Sequence, residues 1–169
     1  YQLDARRCLS YLTIEHKGHI AMEFRKPMGN RNFGCDDCLA ICPWNKFVEP
    51  SQDETMAPRR ALTMVELSKF LALEEASFRR LFAGTPVRRL GRDRFLRNVL
   101  IAAGNSRNRS LSEFVEPLLR DPSPLVRAMA IWALGELQGA QAMAAIALDL
   151  LNQESDPDVR AEWAMVIAA

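Results

Sequence analysis

The chain has 169 residues, a formal net charge of +1 and 49% hydrophobic residues, so it can bury the core of one compact domain or of two small ones. Its four cysteines are too few for the disulfide framework of a small secreted domain, and no apolar run approaches the roughly 18 residues of a membrane span. The chain opens at Tyr1 without a methionine or a targeting segment. We therefore expect a fragment of a soluble, cytoplasmic protein.

The cysteines predict a metal site. Cys35, Cys38, Cys42 and Pro43 follow the pattern C-x₂-C-x₃-C-P, the tail of a bacterial ferredoxin run, and Cys8 stands well upstream. This spacing favours iron–sulfur clusters, with a structural Cys₄ zinc site as the alternative. In two-cluster ferredoxins the cysteine before proline ligates the other cluster. By that rule Cys42 would serve a second cluster.

Residues 1–50 form the predicted ferredoxin-type segment. The β-branched and aromatic run at 9–14 is compatible with a strand or a short helix, and these remain open. Turn residues at 17–18 and 27–30 interrupt the segment. A linker is predicted at 50–60.

Residues 51–87 are predicted to hold that linker and connecting helices. Thr63 or Ser68 could cap a helix running through Leu73, and Ser77 could cap another running through Arg80. Neither helix carries a chemical motif, so their predicted role is to connect.

The second half contains an internal repeat. Arg94, Arg127 and Arg160 place three apolar helix patterns in register at a spacing of 33 residues, and the stretches 111–119 and 140–151 supply second helices. Two helices per unit at this period indicate HEAT-like repeats, with a plain helical bundle as the alternative. The predicted fold class is therefore mainly α, a ferredoxin-like iron–sulfur segment followed by HEAT-like α-helical repeats.

The repeat region, 88–169, is divided in charge. Residues 88–109 carry seven arginines against one acid, whereas residues 110–169 carry three arginines against nine acids. A local excess of guanidinium groups can neutralise phosphates, although a solvated face paired to the acidic repeats is equally compatible. The candidate RNA-binding side chains are Arg89, Arg92, Arg94 and Arg97.

Three sequence blocks resemble the epoxyqueuosine reductase family. They are residues 4–18, residues 28–31, and residues 34–46 with the cysteine run. The basic segment 89–105 and the HEAT-like tail also resemble the C-terminal region of the family. The resemblance therefore extends over nearly the whole chain.

The resemblance implies an oxidoreductase that depends on cobalamin and two [4Fe-4S] clusters. Enzymes of this family reduce epoxyqueuosine to queuosine at the wobble position of a tRNA anticodon. The expected partners are that tRNA and an external electron donor, and we expect a monomer. The corrinoid-binding domain and the carboxylic general acid of the family precede the clusters, so this chain alone should be inactive and no catalytic acid is assigned to it.

The resemblance also implies a division of the cysteines. Cys8, Cys35 and Cys38 would hold one cluster with the last cysteine of an upstream run, and Cys42 would complete the other. Ser10 and Lys17, which follow Cys8, would border the corrinoid or the substrate. The alternative function is a ferredoxin-like module on a helical-repeat scaffold that transfers electrons to a protein partner.

Overall fold

A computed structural model of the protein describes residues 2–49, 51–53, 59 and 62–168. Within these ranges the regular structure is helical, and the prediction of a mainly α chain is confirmed. The α-helices are α1 (Leu9–Ile14), α2 (Met22–Met28), α3 (Asp37–Ala40), α4 (Leu67–Leu71), α5 (Glu75–Leu81), α6 (Arg92–Asn105), α7 (Ser112–Val115), α8 (Pro124–Gln138), α9 (Ala140–Leu150) and α10 (Pro157–Ile167). The 3₁₀-helices are Ala5–Arg7, Pro43–Phe47, Pro86–Leu90, Arg109–Leu111 and Glu116–Arg120.

No helix of the described residues is both long enough and apolar enough to cross a bilayer. The predicted linker at 50–60 lies largely outside the described residues.

The helices α6, α8 and α10 stack in the order that the 33-residue register predicts, with α8 packed against both of the others. Glycine permits each close approach. A Cβ atom on Gly104 would lie 2.7 Å from the ring of Trp132, and one on Gly135 would lie 2.7 Å from a methyl group of Val166. Because real Cβ contacts are longer, any larger side chain at these crossings would push the repeat helices apart.

The predicted second helices are present in different forms. The stretch 140–151 contains the regular helix α9, as expected. The stretch 111–119 is divided into α7 and the 3₁₀-helix Glu116–Arg120, which has Pro117 in its first turn. Proline lacks the backbone N–H that a continuous α-helix needs, so this unit is broken rather than regular.

The three register arginines share a structural role. Each guanidinium donates hydrogen bonds of 2.8–3.0 Å to a carbonyl oxygen in the segment that precedes its own helix. The bonds run from Arg94 to Leu90, from Arg127 to Asp121 and from Arg160 to Leu151. The repeated arginine thus ties each helix to the connection that enters it.

Aromatic packing positions the short helices α4 and α5. The rings of Phe70, Phe78 and Phe82 pack with Phe95 of α6, at centroid separations of 4.9–5.7 Å. Aromatic pairs at such separations add to the free energy gained by burial. The two connecting helices are therefore attached to the first repeat helix.

The predicted caps of these helices were wrong by a few residues. Glu66 precedes α4 and Glu74 precedes α5, and neither side chain makes a capping hydrogen bond. Ser68 and Ser77 lie inside the helices instead. These short helices therefore begin without a side-chain oxygen cap, and their phenylalanine side chains attach them to α6.

The cysteine-bearing N-terminal segment packs on the repeats. Residues 9–14, which the sequence left open between strand and helix, form α1. Helix α2 was not predicted. It carries Pro27 in its last turn and ends at Gly29, where φ is +57°. One buried apolar core runs from Leu12 to Val166 through all three predicted segments, and the boundaries proposed at 50/51 and 87/88 stay a prediction.

A buried ion pair joins α2 to the last repeat helix. The Arg25 guanidinium donates two hydrogen bonds, of 2.5 and 2.9 Å, to the Glu162 carboxylate, and both side chains are only 4% exposed. Glu162→Gln keeps the shape but leaves a buried cation without its counter-charge, so it should destabilise the full-length protein by about 2–3 kcal/mol. The denaturant midpoint of the helical circular dichroism signal measures this loss.

Glu75→Gln is the matched control, because Glu75 pairs with Arg79 on the surface. This substitution should lower the free energy of unfolding by no more than about 0.5 kcal/mol. Equal midpoints for the two variants would contradict a structural role for the buried pair.

Candidate iron–sulfur centre

Each of the four cysteines lies at or beside a helix terminus. Cys8 precedes α1, Cys35 lies in the loop before α3, Cys38 lies in the first turn of α3, and Cys42 precedes the 3₁₀-helix that begins at Pro43. Cys8 and Cys38 are exposed, Cys35 and Cys42 are half-buried, and all four are free thiols. Free thiols at accessible positions are the donor set that an iron–sulfur cluster requires.

The loop before α3 is shaped by two positive φ angles, +77° at Gly34 and +58° at Asp36. Arg31 donates to both carboxylate oxygens of Asp37 at 2.8 Å. These hydrogen bonds lower the pKa of the Asp37 carboxyl below its ordinary value. Asp37 is therefore a loop-fixing anion rather than an acid–base group.

The segment that follows α3 is closed by Asn45. Its side-chain amide donates to the carbonyl oxygens of Leu39 and Ala40, at 2.7 and 3.1 Å, and its backbone N–H donates to the carbonyl of Cys42 at 3.1 Å. The amide satisfies orphan carbonyls at the end of α3. Cys42 thus lies within a hydrogen-bonded loop that brings it back toward Cys38.

The chemistry of this donor set fits an iron–sulfur cluster. Four free thiols are present, and such clusters are held by cysteine thiolates. In the described part of the chain, no group of three or more His, Cys, Asp or Glu side chains is arranged to hold one metal ion.

Apolar side chains around the cysteine run are exposed to an unusual degree. Trp44 is 71% exposed and packs at 5.6 Å against the ring of Phe47, itself exposed. Leu39, Ile41 and Val48 are also exposed. Such side chains beside a cluster would exclude water from it if a further part of the protein covered them.

The structure assigns a role to two polar residues that sequence reasoning missed, Thr13 of α1 and Asn98 of α6. Asn98 donates from its amide nitrogen to the carbonyl oxygens of Thr13 and Asn32, both at 2.8 Å. The Thr13 hydroxyl accepts a 3.0 Å hydrogen bond from the N–H of Gly34. The sequence signal was an asparagine inside the otherwise apolar pattern of α6, because a buried amide needs partners.

The two residues predicted to border the corrinoid or substrate differ in environment. Ser10 is half-buried within α1, whereas Lys17 is exposed in the loop after it. Lys17 lines an open cleft of about 450 Å³ together with Arg92, Arg94 and Ser123. The cleft therefore combines a predicted cofactor-bordering residue with two of the predicted RNA-binding arginines.

Arg97, one of the four predicted RNA-binding arginines, lies inside the protein. Its side chain is 0% exposed and donates to the carbonyl oxygens of Leu12, His16 and Gly18, at 2.7–2.9 Å. Burial, together with the nearby Arg94, lowers the pKa of Arg97 to about 10, so it remains charged at neutral pH. This arginine holds the loop after α1 and cannot reach a phosphate.

Arg92 and Arg94 are also engaged within the protein. Arg92 is largely buried and donates to both carboxylate oxygens of Asp121, at 2.7 and 3.3 Å. Arg94 donates to the carbonyl of Ile14 as well as to that of Leu90. Both guanidinium groups therefore make hydrogen bonds within the protein, and the RNA-binding role of Arg92 and Arg94 stays a prediction.

Arg89 alone of the four predicted arginines is mostly exposed. Its side chain is 74% exposed and forms a 3.3 Å surface ion pair with Glu15. Such surface pairs contribute little to stability and can be exchanged for another anion. Arg89 and Lys17 are thus the cations of the predicted set that remain open to a phosphate.

Comparison with known protein families matches both halves of the chain. A model described as a 4Fe-4S double cluster binding domain matches residues 1–45, and one described as HEAT repeats matches residues 91–168. These matches confirm the predicted order of an iron–sulfur segment followed by HEAT-like repeats, and they favour iron–sulfur over zinc.

Curated relatives carry one name. The chain is 44% identical over 137 residues to an epoxyqueuosine reductase of Xanthomonas campestris, covering 80% of this chain and 39% of that protein. It is 47% identical over 106 residues to that of Escherichia coli, covering 63% of this chain and 28% of that protein. The chain therefore spans about two fifths of the length of the first of these relatives.

Solved structures agree over almost the whole chain. A crystal structure of an epoxyqueuosine reductase with an epoxyqueuosine-modified tRNA-Tyr stem loop superposes with a TM-score of 0.90, at 31% identity, over 99% of this chain and 44% of that one. The enzyme from Streptococcus thermophilus superposes with a TM-score of 0.79, at 34% identity, over 97% of this chain and 43% of that one. The similarity thus includes the cysteine segment, the connecting helices and the repeats.

Proposed function

Since the chain belongs to the epoxyqueuosine reductase family and matches its C-terminal portion, we propose that the full-length protein reduces epoxyqueuosine to queuosine in the anticodon of a tRNA. One observation carries the proposal. Four free thiols lie in the segment matched by a double-cluster domain, and the adjoining repeats superpose on an enzyme bound to a modified tRNA stem loop.

In this proposal the chain is the portion of the enzyme that transfers electrons. Cys8, Cys35 and Cys38 ligate one [4Fe-4S] cluster, and Cys42 ligates the second, with the remaining thiolates supplied from outside residues 1–169. The clusters, when bound, supply single electrons, and cobalamin supplies the chemistry at the epoxide. Loops closed by Arg31 and Asn45 keep the Cys35–Cys42 run in one conformation during electron transfer.

The cleft at the repeat entrance is the proposed RNA-facing surface. Lys17 lines it, and Arg89 pairs with Glu15 in the loop that carries Lys17. Two exposed cations on one side can contact neighbouring phosphates without displacing a buried ion pair. Arg92 lines the same cleft and pairs with Asp121, and the buried Arg97 holds the loop that carries Lys17.

Metal analysis and product formation test the enzymatic proposal. The full-length protein, purified without oxygen, should contain iron and sulfide in equal amounts and should convert epoxyqueuosine to queuosine in tRNA when given cobalamin and a reductant. Zinc at one equivalent per chain without iron would contradict the iron–sulfur assignment. Iron and sulfide without conversion would leave only an electron-transfer protein.

Such a protein is the second candidate function, a ferredoxin-like module that serves a protein partner. The observation that favours it is the exposed apolar pair Trp44 and Phe47 beside the cysteine run, which suits a protein contact. It differs from the first candidate in requiring no RNA surface.

Salt-dependent tRNA binding separates the two candidates. The double variant Lys17→Ala, Arg89→Ala should weaken tRNA binding by the full-length protein about tenfold and reduce the slope of log K against log salt by about 1–2. Each phosphate contact that is lost lowers the number of counterions released when tRNA binds. Filter binding at several salt concentrations measures the slope.

The matched control is Lys69→Ala, Arg120→Ala, which removes the same two side-chain types from exposed positions elsewhere. It should leave the slope unchanged. Equal slopes in both double variants would contradict the proposed RNA-facing surface.

A further inference from the structure

Four residues form a hydrogen-bonded connection between the two segments that carry Cys8 and Cys35. We name this connection, made of Thr13, Asn32, Gly34 and Asn98, the Asn98 bridge. Thr13 belongs to α1, which begins directly after Cys8, while Asn32 and Gly34 lie directly before Cys35. Asn98 belongs to the first repeat helix.

Both polar groups of the Asn98 side chain are hydrogen-bonded. Its amide nitrogen donates to the carbonyls of Thr13 and Asn32, and its amide oxygen accepts from Arg97 at 3.0 and 3.1 Å. The side chain is 0% exposed. A buried amide with each group paired has one orientation, because a flip would oppose its oxygen to two carbonyls.

Thr13 closes the connection at the other end. Its hydroxyl accepts from the N–H of Gly34 and donates to the carbonyl of Leu9 at 2.9 Å, one residue beyond Cys8. Thr13 is also 0% exposed. The backbone carbonyl of Asn32 and the backbone N–H of Gly34 are thus both fixed by hydrogen bonds. These two residues flank Phe33, and Gly34 immediately precedes Cys35.

The geometry points to Thr13 and Asn98 as positioning residues that set the separation of the Cys8 and Cys35 thiolates. This inference rests on the proposed function, in which those two thiolates ligate the same cluster. Neither residue touches a cysteine sulfur, so each acts through the backbone. Because a cluster's electronic properties depend on how its ligands are held, loosening this connection should alter one cluster and spare the cluster of Cys42.

Thr13→Val and Thr13→Ser in the full-length holoprotein test this inference. Valine keeps the shape and removes all three hydrogen bonds of the hydroxyl, to Leu9, Ser10 and Gly34, whereas serine keeps them. In the valine variant, exchange of the Gly34 amide hydrogen should become at least about tenfold faster, because its acceptor is gone. The EPR spectrum and midpoint potential of the cluster assigned to Cys8, Cys35 and Cys38 should shift, while the serine variant should match the wild type.

Thr85→Val is the matched control. Thr85 is a half-buried threonine whose hydroxyl donates to the carbonyl of Phe82 at 2.9 Å, outside the bridge. Its EPR spectrum and potentials should equal those of the wild type. If Thr13→Val cannot be purified, Thr13→Ala removes the same hydroxyl without adding a methyl group.

Three outcomes would overturn the inference. In the first, the Gly34 amide hydrogen of Thr13→Val exchanges at the wild-type rate. In the second, its exchange accelerates but the EPR spectra and potentials of both clusters stay unchanged. In the third, both clusters change alike, as in a general folding defect. A wild-type protein without iron would instead contradict the proposed function itself. The two failures are therefore distinguishable in the same set of samples.

Discussion

Cys35→Ala and Cys42→Ala are expected to remove different iron–sulfur clusters from the full-length protein. Each variant should lose about half of the iron and sulfide, because the cysteine before proline serves the neighbouring cluster in two-cluster ferredoxins. The EPR spectra of the two reduced variants should therefore be different and should sum to that of the wild type. Both variants should lose at least about 100-fold in conversion of epoxyqueuosine, since the electron path is interrupted.

Asp37→Asn is the matched control for these replacements. Asp37 lies between Cys35 and Cys38 and is exposed, so the variant perturbs the same turn without removing a thiolate. It should keep both clusters. Identical EPR spectra for Cys35→Ala and Cys42→Ala would contradict the division of the cysteines, even if both lose iron.

The iron–sulfur segment was predictable because its chemistry is carried by spacing along the chain. Cysteines three or four positions apart remain close in any fold, so the run from Cys35 to Cys42 indicates iron–sulfur ligation without knowledge of tertiary structure. Cys8 is distant in sequence. Its assignment as a cluster ligand came from the family resemblance and not from a local pattern.

The repeat helices were predictable for a related reason. Their apolar periodicity recurs at a fixed interval, and each unit buries its face against the next. The short helices α4 and α5 lack that periodicity. They pack through Phe70, Phe78 and Phe82 around Phe95, and no local capping motif indicates where they begin.

The burial of Arg97 could not be predicted, because a helix pattern does not identify what faces the helix. Arg94 and Arg97 lie on neighbouring positions of α6, as the spacing predicts. The face they share, however, meets the backbone of residues 12–18, about 80 positions earlier in the chain. Carbonyl groups in a buried loop and phosphates in RNA both attract guanidinium groups, and only long-range contacts distinguish them.

Arg97→Met should therefore strongly destabilise the protein. The variant leaves the carbonyl oxygens of Leu12, His16 and Gly18 without their buried donor. At about 1–3 kcal/mol for each of these three unsatisfied groups, the expected loss is about 3–9 kcal/mol. The denaturant midpoint of the full-length protein measures it, and hydrogen exchange of residues 12–18 should accelerate first.

Arg79→Met and Arg97→Lys separate the causes of that loss. Arg79 is an exposed arginine paired with Glu75, so its replacement should lower the free energy of unfolding by no more than about 0.5 kcal/mol. This variant measures the effect of losing a surface arginine. Lysine at position 97 keeps the charge but lacks the planar fork that reaches three carbonyls, so it should recover only part of the loss. Full recovery by lysine would mean that charge, rather than the geometry of the guanidinium, holds the loop after α1. A midpoint for Arg97→Met equal to that of Arg79→Met would mean that the buried hydrogen bonds of Arg97 do not stabilise the contact between α6 and the loop after α1.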